Sequence, residues 1–174
     1  MRIGVVVGNP KANSRTRAVA EDLASAIAPD ELTLLVVDLA EHHSRLFTWP
    51  DQELAQIAED LLAQDLAIFA SPTYKATYSG MLKAFLDRYP HRGLAGLFAI
   101  PLMTISDPAH ALAPDFTLRP LLGELGAVIP TGGMAFPTPM FDRRMDLIRD
   151  WVELNRRGVE IIRDGPRHSK TTDA

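Results

Sequence analysis

The stretch that decides the fold is residues 66–83, which read LAIFASPTYKATYSGMLK. It begins with an unbroken apolar run, which is typical of a strand covered on both faces in a parallel sheet. Ser71 and Pro72 then end the strand and open a loop with two tyrosines, a lysine and several hydroxyl groups. Gly80 begins a helix with one apolar side. Because ligands of open α/β sheets bind at the carboxyl ends of the strands, this pattern indicates a ligand site.

The same alternation of strand and helix repeats along the chain. The other predicted strands are 2–8, 32–38, 97–105 and a final one in two pieces, 127–130 and 133–136. The predicted helices are 15–27, one after a capping-box-like sequence at 48–51, 80–89, 115–125 and 141–162, and the last has a face of Leu147, Trp151, Leu154, Gly158 and Ile161. Pro101 predicts an edge position, a bulge or a break, and Pro120 predicts a kink or a local change of winding.

This alternation predicts an α/β fold with a five-stranded parallel sheet and helices on both faces. Right-handed crossovers leave doubly wound topologies, of which the Rossmann and flavodoxin-like orders are common. The first turn has no Gly-x-Gly-x-x-Gly, and five strands favour the flavodoxin-like order. We expect one domain over residues 1–174, with a frayed tail at 164–174.

Composition excludes several classes of protein. The chain has 174 residues, 47% of them apolar, and a net charge of −4, which argues against a nucleic-acid surface. It has no cysteine, so disulfides and thiolate chemistry are excluded. No signal peptide or membrane span is recognisable, and no histidine or carboxylate spacing predicts a metal site. We therefore expect a cytoplasmic protein.

The first loop, residues 8–16, lies between a strand and the start of a helix, where exposed N–H groups and the helix dipole favour an anion. Ser14 and Thr16 supply hydroxyls, Asn13 an amide, and Lys11 and Arg15 positive charge. The Gly-Lys-Ser/Thr ending of a nucleotide-hydrolysing loop is missing. A phosphate site and a solvated turn capped by serine are about equally compatible with this loop alone.

The third loop carries the candidate residues for an aromatic ligand. Tyrosine offers an amphipathic plate, and backbone next to a glycine can approach a ligand closely. The candidates are Pro72, Thr73, Tyr74, Lys75, Tyr78, Ser79 and Gly80. Together with the first loop they suit a molecule with a phosphate at one end and an aromatic ring system at the other. No pair of side chains predicts acid–base or nucleophilic catalysis, so no catalytic residue is assigned.

Residues 71–83 resemble the Pro-x-Tyr-x5-Gly-x-x-Lys signature of NAD(P)H-dependent FMN reductases, at Pro72, Tyr74, Gly80 and Lys83. The closest resemblance is to the FMN reductases of alkanesulfonate systems, which pair with flavin-dependent monooxygenases. The first loop is similar to that family's phosphate loop, and residues 115–122 are similar to its helix after strand four.

The resemblance implies a flavodoxin-like fold, FMN with NADPH or NADH, and a homodimer or homotetramer. By analogy, Ser14, Arg15 and Thr16 hold the phosphate, residues 72–75 line the isoalloxazine, and Thr104 and Ser106 belong to the facing loop. Many relatives have Thr-Gly-Gly there, whereas residues 104–107 of this chain read TISD. The β-branched second residue restricts the backbone, and the aspartate is expected to bring negative charge near the ring.

The resemblance favours hydride transfer from NAD(P)H to FMN and supply of reduced flavin to a monooxygenase. An FMN-containing quinone or azo reductase, an electron carrier and a non-catalytic binding domain stay open as alternatives. The leucine-rich segment 116–125 is a candidate subunit interface, and packing against the sheet explains its pattern equally well.

Overall fold

Five parallel strands form one sheet in a computed structural model that describes residues 1–165. Their order is β2-β1-β3-β4-β5, and their bounds are β1 (Arg2–Val7), β2 (Thr33–Asp38), β3 (Leu66–Pro72), β4 (Phe98–Ile105) and β5 (Met134–Pro137). This is the flavodoxin-like order, so the predicted fold class is confirmed. The predicted frayed tail falls mainly on residues 166–174, which lie outside the described residues, and the single domain stays a prediction.

Helices cover both faces of the sheet. They are α1 (Arg15–Ile27), α2 (Gln52–Leu62), α3 (Gly80–Leu86), α4 (Arg119–Glu124), α5 (Arg144–Leu154) and α6 (Arg156–Asp164). Apolar residues of α1, α5 and α6 form one core with the sheet, and those of α2, α3 and α4 form the other. Within residues 1–165, no helix is both long and apolar enough to cross a membrane.

Strand β3 is the centre of the structure, and all seven of its residues are buried. Ile68 packs into the core on the α1 face and Phe69 into the core on the α3 face, because successive side chains of a strand point to opposite faces. Full burial of each such side chain contributes roughly 1.5–3 kcal/mol. The predicted two-faced burial is confirmed, although the strand includes Ser71 and Pro72, where it was predicted to give way to the loop.

Pro101 lies in an internal strand, at a break in the pairing on one side. It is opposite Phe69 of β3, and on its other side β5 begins to pair only at Leu102. Ala99 donates to the Val128 carbonyl on that side, and alternate residues of a strand point the same way. The proline nitrogen therefore faces residues 129–133, which lie between the two places where β4 pairs on this side, at Val128 and from Met134 onward. Of the three predicted situations, the break is the observed one.

Of the two effects predicted for Pro120, a kink and a local change of winding, the structure shows the change of winding, just before the proline. Residues Pro114–Leu118 form a π-helical turn, in which the Arg119 N–H donates to the Pro114 carbonyl. Pro120 is then the second residue of α4, where a missing N–H costs little. The leucines that follow pack against the sheet, while the Phe116 side chain before them is 73% exposed.

Two predictions about helix boundaries are wrong. The cap of α2 is Asp51, whose Oδ1 accepts the Leu54 N–H at 2.9 Å, and the helix does not start from a capping box at Thr48. The predicted helix 141–162 is three pieces: a 3-10 segment at Thr138–Arg143, then α5 and α6. At the break, Asn155 leaves helical geometry with φ of −101°, and its side chain accepts the Gly132 N–H at 2.7 Å.

The buried face of these C-terminal helices also differs from the prediction. Leu154 is 85% exposed and Ile161 is 54% exposed, whereas Ile148, Val159 and Ile162 are buried. The break at residue 155 turns α6 relative to α5, so a spacing counted across it does not follow one helix face.

Candidate functional site

A cleft of about 510 Å³ lies at the carboxyl ends of the strands. The predicted residues on its wall are Asn13, Ser14, Arg15, Thr16, Pro72, Thr73, Tyr74, Thr104 and Ser106. Asn9, Lys11 and Thr138 also line it. Clefts of this size hold cofactor-sized molecules, and this edge is where open α/β sheets place their ligands.

The first loop presents the start of α1 to the cleft. Ser14 is the N-cap, and its Oγ accepts the Arg17 N–H at 3.3 Å. The N–H groups of Arg15 and Thr16 have no acceptor within residues 1–165. Two donors at the positive end of a helix dipole, next to a serine hydroxyl, make an anion site.

Two arginines of this region have different surroundings. Arg15 is exposed on the cleft wall, with its guanidinium carbon 5.1 Å from the centre of the Phe141 ring. No carboxylate within residues 1–165 pairs with Arg15. Arg17 is bound to Glu21 at 2.7 Å, and this hydrogen bond is the main cause of the raised pKa of its guanidinium. Of these two arginines, Arg15 is therefore the one available to an anionic ligand.

A buried chain of hydrogen bonds joins the first loop to the fourth. Asn9 Nδ2 donates to Thr16 Oγ1 at 3.0 Å, and Thr16 Oγ1 lies 2.9 Å from Thr104 Oγ1. Thr16 is 1% exposed and Thr104 is 4% exposed, so this hydrogen bond is nearly fully buried. These two predicted site residues hold opposite walls of the cleft together.

Thr16→Val is expected to destabilise the protein by about 1–3 kcal/mol, because it leaves the Thr104 hydroxyl buried without a partner. Valine has nearly the same shape, so the change isolates the hydrogen bonds. Urea denaturation measures the effect, and Thr33→Val, the same change at an exposed position of β2, is the control. Equal free energies of unfolding for the two variants would show that the chain Asn9–Thr16–Thr104 does not stabilise the fold.

The third loop forms a tight turn at the edge of the cleft. Tyr74 and Thr77 exchange backbone hydrogen bonds of 2.8 and 3.1 Å, and Lys75 and Ala76 between them have φ values of 51° and 63°. Such a turn is unfavourable for residues other than glycine or asparagine, so the surrounding structure must impose it. The turn holds Tyr74 on the cleft wall with half of its surface exposed and places Lys75 at the tip.

Four predicted contacts lie outside the cleft wall: Lys75, Tyr78, Ser79 and Gly80. Tyr78 packs against the core on the α3 face. Gly80 is exposed at the start of α3, and a Cβ atom at this position would have no neighbour within 4 Å. Ser79 is buried, and its Oγ donates to the Gly8 carbonyl at 2.5 Å while its N–H donates to Ser71 Oγ at 2.9 Å. It therefore fastens the third loop to the first.

The fourth and fifth loops complete the wall. Asp107 does not line the cleft; its Oδ1 accepts the Ala109 N–H at 2.8 Å and caps a 3-10 turn. Ile105 is buried, and its carbonyl accepts the Thr138 hydroxyl at 3.1 Å. Thr138 and Asn9 were missed from the sequence, although Thr138 is the first residue after β5 and Asn9 the second after β1, and this position is the signal that could have found them.

One hydroxyl on the wall lacks a partner. The Thr73 N–H donates to the Thr104 carbonyl at 2.9 Å, but Thr73 Oγ1 is buried and has no hydrogen-bond partner within residues 1–165. Buried polar groups are nearly always paired, so an unpaired one beside a cleft fits a site where a ligand supplies the partner. The cleft thus has cationic and N–H donors at one end and an aromatic plate with hydroxyl groups at the other.

The model of one protein family, NADPH-dependent FMN reductase, matches residues 1–138. An FMN reductase (NADPH) of Escherichia coli is 32% identical over 92% of this chain and 94% of its own length. An NADH-dependent FMN reductase, SfnF, of Pseudomonas putida is 29% identical over 82% and 81%. The solved apo structure of an NADH:FMN oxidoreductase superposes with a TM-score of 0.82 at 27% identity, over 98% of this chain and 92% of that one.

Proposed function

Because this chain belongs to the NADPH-dependent FMN reductase family, we propose that its cleft binds FMN with the phosphate at the start of α1 and the ring against Tyr74. The chain is an NAD(P)H:FMN oxidoreductase, which transfers a hydride from NADPH or NADH to FMN. The flavin ring supplies the hydride acceptor, and the protein supplies position and electrostatics.

The observation that carries the assignment of the phosphate end is the set of unpaired donors in the first loop. The N–H groups of Arg15 and Thr16 and the Arg15 guanidinium face the same cleft, and none of them has an acceptor within residues 1–165. Asn13 and Ser14 complete this end. At the other end, Pro72, Thr73 and Tyr74 form the wall for the ring, and Thr104 and Ser106 face them.

We extend the proposal to the fate of the product and to assembly. Arg15 is exposed and Tyr74 is half exposed, so the cleft is open to solvent and suits a flavin that leaves after reduction. A flavin-dependent monooxygenase is the partner proposed to take the reduced flavin.

Leu112 and Phe116, exposed by 62% and 73%, support a homodimer or homotetramer, since exposed apolar groups mark interaction surfaces. A cytoplasmic location stays a prediction.

A titration and a turnover assay test the proposal. FMN added to the purified protein is expected to lose fluorescence on binding, and NADPH or NADH is expected to be oxidised in the presence of free FMN. Absence of both effects at micromolar FMN would reject the proposed site. Efficient ping-pong reduction of quinones, with poor reduction of free FMN, would instead show a bound-flavin quinone reductase.

Tyr74→Ala is expected to weaken FMN binding about three- to tenfold, because aromatic pairs contribute about 0.5–1.5 kcal/mol beyond area burial. Tyr74→Phe keeps the ring and is the matched control, with an affinity near that of the wild type. The measurement is the Kd from fluorescence quenching, with the Tm recorded for each variant. An unchanged Kd for Tyr74→Ala would remove Tyr74 from the ring site.

A further inference from the structure

Asp38, the last residue of β2, has a buried carboxylate that accepts a hydrogen bond from the first loop behind the cleft wall. It is 2% exposed and lies opposite Val7, the residue before the loop begins. Its Oδ2 accepts the Asn13 N–H at 3.0 Å, and its Oδ1 accepts the Ala40 N–H at 3.3 Å. It does not line the cleft, so its contacts are with the loop and not with a ligand.

The loop residue that Asp38 holds has an unusual backbone. Asn13 has a φ of 53°, in the left-handed region, which asparagine adopts more readily than most residues but less readily than glycine. The next residue, Ser14, returns to an extended conformation as the N-cap of α1. The direction in which the Arg15 and Thr16 N–H groups point therefore depends on the left-handed step at Asn13.

Arg17 completes the arrangement from the other side. Its Nη1 donates to Asn13 Oδ1 at 3.0 Å and lies 3.6 Å from Asp38 Oδ2. The Asn13 N–H is thus fixed by Asp38, and its side-chain carbonyl is fixed by Arg17. The arginine also offsets the negative charge of Asp38, which would otherwise repel an anion bound in the loop.

We propose that Asp38, together with Arg17, is a positioning residue that shapes the first loop for the flavin phosphate. The inference rests on the proposed function, because it assumes that the phosphate of FMN binds at the start of α1. Asp38 acts through Asn13 and makes no contact with flavin. Its loss is therefore expected to reduce recognition of the phosphate and to leave recognition of the ring nearly unchanged.

The ratio of the Kd for riboflavin to the Kd for FMN is the readout, since the two ligands differ only in the phosphate. Asp38→Ala is expected to lower this ratio about tenfold, because hydrogen bonds to a charged group contribute about 1.5–3 kcal/mol. Asp38→Asn retains one acceptor oxygen and is expected to lower the ratio about threefold. General destabilisation would weaken both ligands and leave the ratio unchanged.

Asp65→Ala is the matched control. Asp65 is also a buried carboxylate, and its Oδ2 accepts a backbone N–H, that of Arg2, at 2.7 Å. It lies at the amino ends of the strands, just before the central strand β3 and at the end away from the cleft, so its loss is expected to lower the Tm and to leave the ratio at the wild-type value. Circular dichroism confirms that each variant is folded before the titrations.

A second variant tests the route through Asn13. Glycine adopts the left-handed conformation readily, so in an Asn13→Gly protein the loop needs Asp38 less. Asp38→Ala is therefore expected to lower the ratio of the two Kd values less in the Asn13→Gly protein than in the wild type. An equal or larger decrease of the ratio in the Asn13→Gly protein would show that Asp38 does not act through Asn13. If the wild type itself fails to distinguish FMN from riboflavin, the proposed phosphate site is wrong. If it distinguishes them and both Asp38 variants do so equally well, only the inference about Asp38 is wrong.

Discussion

Gly8→Ala is expected to lower both the stability of the protein and its affinity for FMN. A Cβ atom at this position would lie 2.5 Å from Leu82 Cβ and 3.3 Å from Leu82 Cα, which belongs to the backbone of α3. No flexible side-chain end can move aside, so the first loop and α3 must separate. Overpacking of this kind costs about 1–3 kcal/mol, which corresponds to roughly 2–12 °C in Tm for a chain of this size.

The same separation breaks the contacts that place the anion site. The Gly8 N–H donates to the Ala70 carbonyl at 2.7 Å, and the Gly8 carbonyl accepts the Ser79 hydroxyl at 2.5 Å. The first bond ties the first loop to β3, and the second ties it to the β3–α3 connection, which carries the proposed ring wall. We expect a loss of FMN affinity of about tenfold or more, since binding groups must be held within about 0.5 Å of their working positions.

Gly123→Ala is the matched control for Gly8→Ala. Gly123 is an exposed residue in the last turn of α4, and a Cβ atom there has no neighbour within 4 Å. Alanine is the better helix former by about 0.8–1.0 kcal/mol, so this variant is expected to have a higher Tm and the wild-type Kd for FMN. A Gly8→Ala protein with wild-type Tm and Kd would show that the loop does not pack this closely on α3.

Local signals made the first and third helix starts predictable. Ser14 and Gly80 were expected to mark the starts of α1 and α3, and the structure begins these helices at Arg15 and Gly80. A cap depends on residues within one turn of each other, so the sequence contains the whole signal. The strand order was likewise predictable, because alternation and right-handed crossovers leave few topologies.

Boundaries set by distant residues were not predictable in the same way. The helix break at Asn155 coincides with its hydrogen bond to Gly132, which is 23 residues away, and with a site where a Cβ atom on Gly158 would meet the Pro130 carbonyl. The apolar spacing on either side of the break continues without interruption. Periodicity alone therefore joined two helices that a tertiary contact separates.

The candidate site shows the same division between local and distant information. The sequence placed the ligand groups on the correct loops, because each loop follows the carboxyl end of a strand. It could not show that Ser79 turns inward to Gly8, or that Asp38 from another strand reaches Asn13. Both depend on contacts more than twenty residues apart in the chain.

The structure also gives the two arginines at the start of α1 different surroundings; from the sequence, Arg15 was assigned to the phosphate and Arg17 was assigned no role. Arg15 and Arg17 are two positions apart at the start of α1, on different sides of the helix. Arg17 is bound by Glu21 and Asn13, whereas among residues 1–165 the guanidinium of Arg15 interacts with the Phe141 ring alone. A phosphate that enters the cleft can thus recruit Arg15 without breaking an ion pair.

Arg15→Ala is therefore expected to weaken FMN binding about ten- to a hundredfold, because charge-assisted hydrogen bonds contribute about 1.5–3 kcal/mol. Riboflavin, which has no phosphate, is expected to bind the variant and the wild type with nearly the same Kd. Arg15→Lys keeps the charge but not the two parallel N–H groups, so its Kd for FMN is expected to lie between the two. Fluorescence titration with each flavin measures these effects.

Arg149→Ala controls for the change in net charge, since Arg149 is exposed on α5 and does not line the cleft. Its Kd for FMN is expected to equal that of the wild type at physiological salt, where charges more than about 8 Å away are screened. Higher salt is expected to weaken FMN binding to the wild type more than to Arg15→Ala, and to leave riboflavin binding unaffected. Equal losses of FMN and riboflavin affinity in Arg15→Ala would show that Arg15 supports the cleft without binding the phosphate.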